Sequence, residues 1–102
     1  MQGFVFRLVP PRPTFTSDMT DEERSAMGEH AAYWRDLMAR GSVLAFGPVA
    51  DPAGPYGLGV VLADDMAGAE ALRDGDPAVR KIGMKTEIAP MIQLVTPGGE
   101  YS

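Results

Sequence analysis

His30 is the only histidine in a chain of 102 residues that contains no cysteine. Imidazole exchanges a proton close to neutral pH, which suits it to act as a general acid or base. It works best beside a carboxylate, because a bond to one ring nitrogen selects the tautomer and steadies the imidazolium. Two aspartates compete for that place. Asp76 stands in "DGDPAVRKIG", where Asp-Pro is also the usual opening of a short helix, the aspartate capping and the proline at the first position. Asp51 ends "FGPVAD" and precedes Pro52, so it reads equally as a turn residue.

A guanidinium in mid-strand must find an acid, a carbonyl or a bound anion, which singles out Arg7. Glu87 is its structural mate on the same sheet face, while Arg12 in "PPRP" could reach an anionic ligand at the strand's end. Trp34 and Tyr33 lie at helical spacing and read as core, with Trp34 also a candidate for substrate contact. Other signatures fail. A metal site would have to gather several carboxylates, and no spacing suggests one. "GPYGLG" has its glycines in the wrong order for a dinucleotide loop, and no phosphate loop is present. Ser17, Ser25 and Ser42 lack a nucleophile-elbow context. No cofactor and no metal are expected.

The elements that must position these side chains follow from period and punctuation. "GFVFRLV" (3–9) alternates Phe4, Phe6 and Leu8 against Val5, Arg7 and Val9, and "PPRP" ends it as a strand. After a loop, "TFTSDMT", the spacing "TDEE" from Thr20 predicts a capped helix that stops at Gly41. On its wheel His30 falls inside the apolar arc of Met27, Ala31, Trp34 and Leu37, so it points at the sheet. Its plain reading is a core histidine bonded to a backbone carbonyl; its functional reading is an acid or base in a cleft between helix and sheet. "SVLAFG" (42–47) and "YGLGVVLA" (56–63) predict two strands joined by a proline-rich loop, "DDMAGAEALRDG" (64–75) a second helix, and "TEIAPMIQLV" (86–95) a last strand.

The order β-α-β-β-α-β is that of an α+β, ferredoxin-like sandwich, with two helices on one face of a four-stranded antiparallel sheet. If Phe4, Phe6, Ile88, Ile92 and Leu94 face the helices, Val5, Val9, Val61 and Met91 lie on the open face. A face so apolar predicts association into a homodimer.

Composition narrows the classes of partner. With 45% hydrophobic and 23% charged residues the chain is globular, and its nine basic residues are scattered among fourteen acidic ones for a net charge of −5. Nucleic acid needs clustered Lys and Arg and is not an expected partner. "MQGFVFRLVPPRP" reads as no signal peptide and no apolar run reaches the length of a membrane span. With the lack of cysteine, this predicts a cytoplasmic protein.

Taken together, "GEHAAYWRDLMARG", "VLAFGPV", "GLGVV", "DDMAGAEAL", "GDPAV" and "EIAPM" resemble the YciI-like (YCII-related) family over residues 3–95. The most specific elements are His30, Gly47-Pro48 and Asp76-Pro77. The resemblance implies a dimeric α+β barrel fold and a histidine-aspartate site, with His30 as its histidine, Asp76 as its Asp-Pro aspartate and Asp51 a weaker match in a variable loop. By analogy of fold it also implies proton transfer or elimination on small rings, that is, isomerase or lyase-like chemistry. "FGPV" departs from the Asp-Gly-Pro-Phe stretch of the sigma-factor-associated branch. Residues 1–95 form one YciI-like domain on this reading and 96–102 a flexible C-terminal tail.

Two functions are then in play. One is a cofactor-independent enzyme in which His30 moves a proton on a small anionic or phenolic molecule, with Asp76 or Asp51 holding the imidazole and Arg7 or Arg12 the charge. The other is a non-catalytic small-ligand-binding or accessory homodimer in which His30 is a buried polar group. A carboxylate beside His30 in an open cleft favours the first; backbone bonds in a solid core favour the second.

Overall fold

Phe4, Phe6 and Leu8 are buried while Arg7 is exposed, as the period of two demands, in strand β1 (Gln2–Val9). In the computed structural model, which describes residues 1–101, the chain continues through α1 (Phe15–Asp18), α2 (Asp21–Ala39), β2 (Val43–Val49) and β3 (Tyr56–Ala63). Then come α3 (Met66–Asp74), α4 (Pro77–Ile82), β4 (Lys85–Pro90), β5 (Leu94–Thr96) and β6 (Gly99–Tyr101). The main sheet is antiparallel in the order β2-β3-β1-β4. Phe4, Phe6, Val43 and Val61 on its inner face pack with Trp34 and Leu37 of α2 and Ala69 of α3, so both long helices cover one face of the sheet. Filling such a site is worth several kcal/mol: Phe to Ala typically costs about 3–5 kcal/mol.

Helix α2 begins where expected. Thr20 Oγ1 accepts from the Glu23 amide and the Glu23 carboxylate accepts from the Thr20 amide, a reciprocal cap worth about 1 kcal/mol. Beyond its last turn the chain reverses at Gly41, whose φ of 85° favours glycine. β2 runs past the predicted end at Gly47 through Pro48 to Val49. A proline is tolerated there because β2 is an edge strand, where an N–H is not needed on the open side. "TFTSDMT" holds the short helix α1 and buries Phe15.

Three expectations about the sheet are corrected. Val61 pairs with Phe4 and is fully buried on the helix side, because directly paired residues project to the same face. Its neighbour Val60 pairs with Val5 instead. The last strand stops at Pro90 rather than running to Val95. Ile92 is fully exposed, and Leu94 lies on the open face, where a Cβ on Gly3 would sit 2.8 Å from its Cβ. The segment read as a loose tail is paired as the hairpin β5–β6 as far as Tyr101; Ser102 lies outside the described residues. Gln93 reaches Glu100 across the hairpin at 3.2 Å, and Leu94 is its buried anchor. Among the described residues no helix is long and apolar enough to cross a membrane.

Candidate active site

The junction between α3 and α4 places one carboxylate. Gly75 ends α3, Pro77 opens α4, and Asp76 between them caps α4, its Oδ1 accepting from the Ala78 amide at 2.9 Å. Glycine leaves room there for Tyr33: a Cβ at Gly75 would sit 2.6 Å from its hydroxyl, which donates to the Leu72 carbonyl at 2.7 Å. Burial, and next the charge of Asp76, push the Tyr33 phenol above its ordinary pKa.

Asp76 is only 2% exposed, the one charged residue among those described that is fully buried. A buried charge is tolerated only when its acceptors are filled. Trp34 Nε1 donates to Oδ2 at 2.8 Å, and His30 Nδ1 lies 2.8 Å from Oδ2 and 2.9 Å from Oδ1. The two side chains come from consecutive turns of one face of α2, an i, i+4 pair, with ring centroids 5.9 Å apart. Indole and amide nitrogens can only donate, so the carboxylate accepts from both and completes its shell with the proton on His30 Nδ1. That assigns the tautomer. In the neutral ring Nε2, on the far side, then carries the lone pair.

His30 lines a cavity of about 440 Å³ between α2 and the sheet. Strand register builds its floor from two neighbouring rows, Phe46-Gly59-Phe6 and Pro48-Gly57-Leu8-Thr86. Both glycines lie on β3 at inward positions. A Cβ on Gly59 would overlap the Trp34 ring, and one on Gly57 would stand 3.2 Å from Leu8 Cβ. The missing side chains are what let Trp34 settle onto the sheet and leave space beside it. Met27, His30, Ala31, Trp34 and Arg35 of α2 form one wall, and Pro10, Phe15, Thr16 and Met19 another. The lining is mostly apolar with few polar groups, the usual make-up of a small-molecule site.

The structure brings together only part of the sequence-derived set. His30, Asp76 and Trp34 meet. Asp51 instead closes its own turn, Oδ1 accepting from the Ala53 amide at 2.9 Å, and it does not line the cavity. Arg7 is on the open sheet face, 4.0 Å from Glu87 and 4.5 Å above the Tyr56 ring. Arg12 is consumed by acids, with Nε 2.8 Å from Asp18 and its terminal nitrogens 2.9 and 2.8 Å from Glu23. Those bonds from Arg12, and then the Thr20 amide, pull the Glu23 carboxyl from 4.5 to about 2. Arg12 ties the 10–19 connection, one wall of the cavity, to the start of α2.

The polar side chains of the lining include Arg35 and Thr86. Arg35 reaches the cavity from α2 and, among the described residues, has no carboxylate within ion-pair distance. Its neighbour Trp34 on the inward arc was the available signal. Thr86 is a polar residue in an otherwise apolar inward row, visible only once the register is known. No three His, Cys, Asp or Glu side chains among the described residues are grouped to hold a metal ion.

A four-stranded antiparallel sheet with two helices on one face, joined β-α-β-β-α-β, is a ferredoxin-like α+β fold. The YCII-related domain matches residues 4–92, and the chain belongs to that family. Among solved structures it is similar to 5-chloro-2-hydroxyhydroquinone dehydrochlorinase from Burkholderia phenoliruptrix in complex with 2,5-dihydroxybenzoquinone. The similarity has a TM-score of 0.55 at 13% identity and covers 87% of this chain and 91% of that one. At that identity the likeness is one of fold. A search of curated proteins finds no significant match.

Proposed function

We propose that this chain is a small enzyme needing no cofactor, in which His30 Nε2 takes a proton from a small phenolic or anionic ring and gives it back at another atom, as an isomerase does, or to a substituent that departs with its bonding electrons, as a lyase does. The carrying observation is the network on Asp76: with Trp34 and Ala78 donating, His30 Nδ1 must donate too, and Nε2 is left as the acceptor at the cavity. A general base has to be held in one tautomer with its other nitrogen free. A merely structural histidine would have been expected to bond the backbone; His30 bonds a carboxylate. Arg35 replaces Arg7 and Arg12 as the cation for the ligand's negative charge, since both of those face acids elsewhere. The dehydrochlorinase of similar fold, whose ligand is an oxygenated ring, is in keeping with this substrate class.

The reading extends to a homodimer through the open sheet face, where Val5, Val9, Met91 and the 37% exposed Leu58 gather. A monomer at micromolar concentration in sedimentation would remove that part. The test of the chemistry is His30→Gln, which keeps hydrogen-bonding reach but cannot shuttle a proton near neutrality. Small phenols, lactones and carboxylates are screened for turnover. The variant should stay folded, bind the substrate found, and lose about 10²–10⁴-fold in kcat. Full activity in the variant would sink the mechanism.

A further inference from the structure

Thr86 Oγ1 is buried and, among the described residues, is the only buried side-chain nitrogen or oxygen with no hydrogen-bond partner. The face its side chain takes follows from register. Thr86 pairs with Leu8, whose side chain is buried on the helix side, and paired residues share a face. Two residues away in either direction stand Met84, buried, and Ile88, packed on the core. Thr86 therefore interrupts an apolar row and lines the cavity of His30; its hydroxyl lies just beneath that lining and, with no partner to hold it, comes to the surface by a turn about χ1. Valine has the same shape, suits a strand at least as well and would leave no polar atom unpaired. Folding alone gives no reason for a threonine.

We infer that Thr86 Oγ1 is a specificity-determining contact for the ligand of His30, hydrogen-bonding an oxygen on the ring whose exchangeable proton meets Nε2; this rests on the function proposed above. The cavity then has His30 and Arg35 as polar groups on its helical wall and Thr86 on its sheet floor, with Phe6, Leu8, Met27 and Met84 around the ligand's body. The ligand class it fits is a ring with two oxygen substituents, dihydroxy or hydroxy-oxo, in preference to a ring with one. A hydroxyl serves as donor or acceptor, so either substituent satisfies it.

The probes are phenol and the three dihydroxybenzenes, catechol, resorcinol and hydroquinone, which differ from phenol by one hydroxyl at three spacings. Binding is followed by the ring resonances of His30 in wild type, Thr86→Val and Thr86→Ser. At least one dihydroxybenzene should bind wild type about five- to tenfold more tightly than phenol, the usual net value of one neutral hydrogen bond. Thr86→Val should erase that advantage, leave phenol affinity unchanged and not lower the melting temperature of the free protein. Thr86→Ser should restore it. An advantage that survives in Thr86→Val, or no isomer that exceeds phenol, overturns the assignment while the His30 site stands. If none of the four probes moves the His30 resonances up to its solubility limit, the site reading falls and this one with it.

Discussion

Trp34 and His30, one turn apart on α2, share a single carboxylate oxygen: Asp76 Oδ2 lies 2.8 Å from the indole nitrogen and 2.8 Å from His30 Nδ1. The indole therefore has two tasks. Its ring packs edge-on against Phe6, centroids 5.6 Å apart, and its N–H keeps the carboxylate turned toward the imidazole. Trp34→Phe separates them by keeping most of the ring and removing the donor. Loss of a hydrogen bond to a buried charged group costs about 1.5–3 kcal/mol, which urea unfolding will show. Trp34 acts here as a positioning residue, so kcat should fall while KM for a bound phenol changes little.

Gly59 is the floor on which that indole rests, and Gly59→Ala tests whether the seat matters. The added methyl would overlap the Trp34 ring, and overpacking of this kind costs about 1–3 kcal/mol. The indole should move off Asp76, so the variant should show an altered tryptophan emission together with the same kcat defect as Trp34→Phe. A stable variant with unchanged emission would show that the sheet yields instead.

How much of this was legible beforehand depends on the range of the interaction. The cap at Thr20, the stop at Gly41, the inward row of β1 and the Asp-Pro opening of α4 are local, set by residues within one turn of each other. Each is therefore legible in a short stretch of sequence. The choice between Asp76 and Asp51 was not local, because it needs the α3–α4 junction packed against α2. Val61 was misplaced for the same reason: alternation tells which residues share a face, but only pairing with Phe4 tells which face it is. Arg12 looked free because its partner Glu23 lies eleven positions on, across the 10–19 connection. The glycines of "GLG" carried the strongest unread signal, since two at alternate positions of one strand remove side chains from one face only.

The clamp on that connection predicts an acid dependence. Arg12 holds the Glu23 carboxyl at about 2, below its ordinary 4.5, and the Thr14 hydroxyl chiefly, with Arg12, lowers Asp18 as well. A carboxyl whose folded pKa is depressed contributes stability above its unfolded value and loses it as pH falls through the folded one. The stability difference between wild type and Glu23→Gln should thus be constant above about pH 5, shrink below the ordinary carboxylate value of 4.5, and vanish only once the pH has fallen through about 2. Urea titrations across a pH series check the sign. A difference that grows on acidification would contradict the clamp.

Asp76→Asn is the most discriminating change at the site. The cap on α4 and the bond from Trp34 both need an oxygen acceptor, and a carboxamide has only one, so its NH₂ group must face a donor or turn toward His30. If it turns toward His30, Nδ1 becomes the acceptor and the ring proton moves to Nε2, the nitrogen on the side away from residue 76. Substrate would then meet an N–H where it needs a lone pair. The expected result is a loss of about 10²–10⁴-fold in kcat, the range of general acid–base catalysis, with nitrogen chemical shifts of the His30 ring reporting the exchanged tautomer. Stability should fall too, because a buried amide left against a donor costs about 1–3 kcal/mol. An Asp76→Asn protein that keeps the Nδ1–H tautomer and wild-type turnover would mean that the carboxylate serves only as the cap of α4.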